Sequence, residues 1–171
     1  MVADRLASDL GARFQSSGAD EIALVARGRL DGDEVVIAKP QTWMNRSGAA
    51  AERLAEMYGA APGDFVVAYD DVALPLGAIR VRPEGRSGGQ KGMESVVRAL
   101  GTERVARVRL GILGERGEAD LADYVLEPFL PSEREAAEEM VGRAAEAVRI
   151  LVIEGADAAM NRFNRREAAP G

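Results

Sequence analysis

The chain contains neither cysteine nor histidine. Disulfides, Cys–His nucleophilic pairs, Ser–His–Asp triads and ordinary zinc sites are therefore excluded within these residues, and a general base has to be a carboxylate or a lysine. Lysine is itself scarce: of 22 basic residues only Lys39 and Lys91 are lysine. Long apolar runs are missing too, none approaching the ~18 residues that span a bilayer. Met1-Val2-Ala3-Asp4-Arg5 has no signal-peptide pattern. No low-complexity tract or fixed-period repeat occurs. These absences lead us to expect a soluble, cytoplasmic protein with no membrane partner, no metal and no cofactor.

The composition that remains is globular, 47% apolar and 29% charged. At 171 residues the chain is long enough for a single domain over residues 1–171 that buries roughly two-thirds of its unfolded surface. Its formal net charge of −6 speaks against a nucleic-acid partner, but the charge is unevenly spread. Residues 1–79 carry −5 and residues 110–171 carry −6, whereas residues 80–109 carry +5. That basic segment holds Arg80, Arg82, Arg86, Lys91, Arg98, Arg104, Arg107 and Arg109. A localised patch of this kind steers a polyanion even on an acidic protein; the alternative is the solvated faces of a strand and a helix.

Apolar positions recur at helical spacing over residues 3–14 (Leu6, Leu10, Phe14), predicting an amphipathic helix, with Gly18 beyond it. Ile22 to Leu30 and Glu34 to Ala38 flank Asp31-Gly32 and predict a hairpin closed by Pro40. Ser47 reads as the N-cap of a helix over residues 48–58 that stops at Gly59. Phe65 to Tyr69 is the pattern of a strand buried on both faces, ending at Asp70-Asp71. Further strands are expected over Ala78 to Val81 and Val105 to Ile112. Further helices are expected after the glycine-rich loop Gly85 to Gly92 as far as Leu100, from Ser132 to Glu154, and from Ala156 to Arg165. This order predicts a layered α/β fold.

Three segments carry chemistry. In Pro40 to Gly48 an aromatic, Trp43, and an amide, Asn45, precede a helix start whose free N–H groups favour anions; alternatively Asn45 only caps and Trp43 only packs. Asp70, at a strand end, either supports a general base or bonds a turn. In Gly85 to Gly92 the glycines, Gly88 and Gly89 among them, let backbone N–H groups approach an anion; a plain glycine turn is the alternative. The loop is not a nucleotide-binding Walker loop, because Gly92 follows Lys91, and nothing in it brings Ser87 and Lys91 together as a nucleophile pair.

Taken in this order, the segments resemble bacterial peptidyl-tRNA hydrolases along essentially the whole chain. Thr42-Trp43-Met44-Asn45-Arg46-Ser47-Gly48 is similar to that family's Thr-Phe/Tyr-Met-Asn-x-Ser-Gly motif, and Asp70 with Leu74-Pro75-Leu76-Gly77 to its Asp-(x)-Leu-Pro-x-Gly segment. Gly85 to Gly92 resembles its Gly-x-x-Gly-Gly-His-Asn-Gly loop, and Tyr124-Val125-Leu126 and Ala159 to Asn164 its C-terminal features. The resemblance implies a three-layer α/β/α single domain with a mixed twisted sheet. It further implies hydrolysis of the ester joining peptide to tRNA, which releases tRNA for translation, by a monomer that holds the tRNA acceptor end and the peptide. In that family a histidine near the N-terminus activates water. Asp70 would orient and charge-stabilise that histidine, and Asn45 would position water or the peptide carbonyl. Trp43 would line the peptide or ribose side, and Gly88 and Gly89 with the basic segment would hold phosphates. The three segments are expected to converge on one cleft.

Departures from the pattern matter equally. The family's opening strand, which is central in its sheet, its Gly-Leu-Gly-Asn-Pro-Gly turn and its Arg-His-Asn-x-Gly segment have no counterpart here, and Gln90 and Lys91 stand at the loop's His-Asn pair. A central strand burying about three large aliphatics contributes roughly 5–9 kcal/mol. The expectation is therefore an N-terminally truncated member whose start was assigned internally, about twenty residues late, and whose given chain is inactive. Two alternatives stand beside it: a non-catalytic RNA-binding relative of the same fold, and an inactive fragment.

Overall fold

Asp31 and Gly32 both adopt left-handed backbone, φ 51° and 93°. This is the conformation a two-residue reversal demands of its central positions, and glycine reaches it without steric penalty. The turn pairs Leu30 with Asp33 and joins β2 (Ala23–Leu30) to β3 (Asp33–Pro40), with β1 (Gln15–Ser16) on the other side of β2. All three strands are antiparallel. The computed structural model describes residues 1–18, 21–114 and 125–164. The chain forms two compact units, Met1–Val67 with Pro83–Ala106, and Ala68–Arg82 with Arg107–Gly171.

In the first unit, α1 (Val2–Asp9) packs on β2 and β3. It is shorter than the periodicity over residues 3–14 implies, because Gly11 turns left-handed at φ 62° and stops the helix. Phe14 instead lies under the Lys39 ammonium, 4.0 Å from the ring centre. A short 3₁₀ turn, Met44–Arg46, leads into α2 (Ser47–Tyr58), which ends on left-handed Gly59 as expected. Ser47 is not the N-cap: its hydroxyl donates to the Met44 carbonyl and Arg46 holds the cap position. Leu54 of α2 meets Ala23 and Val25 in a core flanked by Ile22, Val36, Ala38, Tyr58 and Phe65. Burying Leu54 alone contributes about 1.5–3 kcal/mol. Helix α3 (Lys91–Leu100) buries Gly92, Met93 and Val96 and packs along α2.

The second sheet has the order β4-β6-β5, built from β4 (Val66–Pro75), β5 (Ile79–Arg82) and β6 (Ala106–Leu113). β5 runs antiparallel to β6. Arg109 meets Asp71 while the Leu113 carbonyl accepts from Leu76 N–H. Partner numbers therefore rise together, so β4 is parallel to β6 and the sheet is mixed. β4 corrects two expectations. It continues five residues past Asp70 to Pro75, and none of its residues is fully buried. Both follow from its place at the sheet edge, where one flank has no neighbouring strand among the described residues.

Helices α4 (Arg134–Glu154) and α5 (Ala156–Phe163) pack on each other and on β5. α4 buries Ala137, Ala144, Ala145 and Ala147 together with Met140 and Ile150. Glu133, not Ser132, precedes its first turn, and the Glu133 carboxylate accepts from Leu130 N–H at 2.9 Å. The Asn164 amide completes the outer edge of β5, accepting from Val81 N–H and donating to the Val81 carbonyl at 2.7 and 2.9 Å. Tyr124 and Arg165 lie outside the described residues. The class is α/β as read from the sequence, and the described residues form two three-stranded sheets.

Candidate active site

The turn after β3 lifts its side chains into solvent. Trp43 is 81% exposed and Met44 50%, and Asn45 is exposed as well. The Asn45 amide bonds to no group among the described residues, so its donors and acceptor are free for a ligand. Beneath the turn the Thr42 hydroxyl is sealed from solvent and has no hydrogen-bond partner there either. Such a sealed, unbonded hydroxyl is uncommon in folded proteins.

The glycine-rich loop belongs to the same unit. Gly88 and Gly89 have φ 62° and 86°, and a Cβ at either would touch nothing within 4 Å. Backbone conformation and not crowding is what asks for glycine at these positions. Gly89 N–H points back to Ser87 Oγ at 3.4 Å and Gln90 N–H to the Ser87 carbonyl at 3.2 Å. The Gly88 N–H bonds to no group among the described residues and is one open donor of the loop. Ser87 and Lys91 do not bond to each other. Gln90 caps α3, its Oε1 accepting from Met93 N–H at 2.7 Å while its Nε2 donates to Met44 Sδ at 3.4 Å. Trp43, Asn45, Gly88 and Gly89 thus belong to two segments that touch through Met44 and Gln90.

Asp70 lies in the second unit, half-buried in the middle of β4 and not at a strand end. Its carboxylate bonds to no group among the described residues. Its neighbour Asp71 points to the opposite face, where β4 and β6 bring together Tyr69, Asp71, Arg107 and Arg109. Arg109 Nε donates to Asp71 Oδ2 at 2.6 Å, and Arg107 is 2% exposed. Burial raises the Tyr69 hydroxyl above its ordinary value of 10.0, partly opposed by the nearby Arg109 and Arg107 cations. Among the described residues no group of three or more carboxylates is placed to hold a metal ion.

The family model described as peptidyl-tRNA hydrolase matches residues 1–170. The chain belongs to the peptidyl-tRNA hydrolase family. It is 42% identical over 171 residues to the peptidyl-tRNA hydrolase of Solibacter usitatus, covering 100% of this chain and 85% of that protein. It is 43% identical over 167 residues to that of Mycobacterium tuberculosis, covering 96% and 85%. The crystal structure of peptidyl-tRNA hydrolase from Acinetobacter baumannii superposes with a TM-score of 0.85 at 26% identity, covering 95% of this chain and 82% of that one.

In this member of the peptidyl-tRNA hydrolase family the basic segment is less of a patch than its sequence suggests. Arg107 is buried, Arg109 is paired with Asp71, and the Arg80 guanidinium donates to the Asn164 carbonyl. Arg98 and Arg104 remain 80% and 86% exposed beside Glu94 and Glu84, and Lys91 is exposed at the start of α3. Two further features were not read from the sequence. One is the capping role of Gln90; the other is Ser95, whose Oγ accepts from Gly48 N–H at 2.9 Å. Gln90 directly before a helical run carries a weak local signal, whereas Ser95 carries none, because its partner is 47 residues away.

Proposed function

We propose that this chain recognises the acyl end of peptidyl-tRNA and supports hydrolysis of the ester between peptide and ribose, as a cytoplasmic monomer without metal or cofactor. The exposed, unbonded Asn45 amide, seated beside an aromatic face and an open backbone donor, carries this reading. An ester carbonyl under attack by water develops negative charge on oxygen, and a fixed amide N–H donor stabilises that charge. Asn45 fills this role or holds the water, Trp43 covers the peptide or ribose side, and Gly88 and Gly89 present backbone to a phosphate. Asp70 has a carboxylate without a partner among the described residues and serves to orient and charge-stabilise a base.

By resemblance the base is a histidine, and the 171 residues contain none. Turnover therefore depends on an imidazole that these residues do not supply. The same observation favours a second reading, a tRNA-binding relative that does not hydrolyse. Incubating the chain with peptidyl-tRNA while following peptide release and gel retention measures turnover and recognition separately. Release by these residues alone would show that no histidine is needed. Salt-sensitive retention of peptidyl-tRNA without release fits the proposal and its non-catalytic variant, and absence of both refutes recognition.

A further inference from the structure

The two helix starts beside Asn45 complete each other. α2 has no side-chain cap of its own. The Gly48 N–H, one of the donors that a first turn leaves without an intrahelical partner, is satisfied from outside by Ser95 Oγ of α3 at 2.9 Å. α3 in turn is capped by Gln90, whose other amide arm grips Met44 at 3.4 Å, immediately before Asn45. At position 48 the backbones are too close for a larger residue, since a Cβ there would stand 2.1 Å from the Ser95 carbonyl oxygen; at position 92 a Cβ would press on side chains, 3.0 Å from both Met44 Cγ and Gln90 Oε1.

Asn45-Arg46-Ser47 is therefore a short segment tethered at both ends to α3, through Met44 and through Gly48. The Asn45 side chain has no hydrogen bond among the described residues, so its aim is set there by backbone. We propose that Ser95, assisted by Gln90, is a positioning residue. It fixes the turn that carries Asn45 against the start of α3 and so presents the amide to the acyl end of peptidyl-tRNA. The proposal rests on the function proposed above and adds residues that touch no substrate.

The test is a double-mutant cycle on binding, which separates a residue acting through Asn45 from one that merely supports the fold. The probes are a tRNA carrying an N-acetylaminoacyl group through a non-hydrolysable amide link, and the same tRNA deacylated. Ser95→Ala is expected to weaken binding of the acylated probe by roughly two- to tenfold, the range for one neutral hydrogen bond, with deacylated tRNA unaffected. Ser95→Thr, which keeps a hydroxyl, restores the affinity. In an Asn45→Ala background Ser95→Ala has no further effect. If Ser95→Ala does not fold, Gln90→Ala enters the same cycle at the other tether, with the same expected outcome. Equal losses for both probes, or a loss that persists without the Asn45 amide, would overturn the positioning role and leave the function standing. Equal affinity of the unaltered chain for the two probes would overturn that function and this inference with it.

Discussion

Replacing Gly48 by alanine puts a methyl group where α2 and α3 leave no room. The Cβ would lie 2.1 Å from the Ser95 carbonyl oxygen, 2.7 Å from its carbon and 2.8 Å from its hydroxyl. Two of these three atoms are backbone, so the helices must separate. Overpacking of this kind costs about 1–3 kcal/mol. Losing the Gly48–Ser95 hydrogen bond adds about 1 kcal/mol. Alanine's better helix propensity returns about 1 kcal/mol. The balance is a loss of about 2 kcal/mol, which for a chain of this size lowers the melting temperature by roughly 4–8 °C. Gly63→Ala is the control, since a Cβ there meets nothing within 4 Å and its φ is not positive. It is expected to be neutral or slightly stabilising. Urea unfolding of both variants with an unchanged m value measures the difference. Equal stability of Gly48→Ala and Gly63→Ala would show that the α2–α3 contact is not as close as described.

Thr42→Val removes, at nearly constant shape, a sealed hydroxyl that has no partner among the described residues; thermal unfolding should show a gain of about 1 kcal/mol, and a loss would reveal a hidden bond. The Lys39 ammonium, with the N-terminal ammonium second, holds the Asp4 carboxyl at about 2, below its ordinary 3.8. The folded value lies below the unfolded one, so this contribution is complete above about pH 4 and disappears as pH falls toward 2. Because the Asp4 side chain is 53% exposed, screening limits the pair to at most ~1 kcal/mol. Stability measured from pH 5 to 2 should fall less steeply in Lys39→Met than in the unaltered chain, and identical slopes would refute the pairing. Asp70→Asn should leave the unfolding midpoint nearly unchanged, because the carboxylate has no partner among the described residues to lose. A large destabilisation would assign Asp70 a structural role instead.

What could be read from the sequence was local. Asp31-Gly32 specifies its own hairpin, because both residues tolerate positive φ, and Gly59 ends α2 for the same reason. The motif around Asn45 and the glycine loop were recognisable as segments, and the structure brings these two together through Met44 and Gln90. What was not readable depends on distant partners. The apolar run before Asp70 looks like a core strand, yet β4 lies at a sheet edge, which only the pairing order determines. The arginine cluster looks like a phosphate-binding surface until Asp71 and Asn164, far along the chain, engage Arg109 and Arg80. Ser47 has the right residue type for a cap, but Gly48 N–H, in the first turn it would serve, is met by Ser95 instead.

The most direct measurement is single-turnover peptide release from peptidyl-tRNA with imidazole added to the buffer, comparing the unaltered chain with Asn45→Ala. If this polypeptide holds the scissile ester in place and lacks only a base, release should rise with imidazole above the protein-free rate and drop on loss of the Asn45 amide. Release no faster than in protein-free buffer at every imidazole concentration, or unchanged by Asn45→Ala, would contradict it.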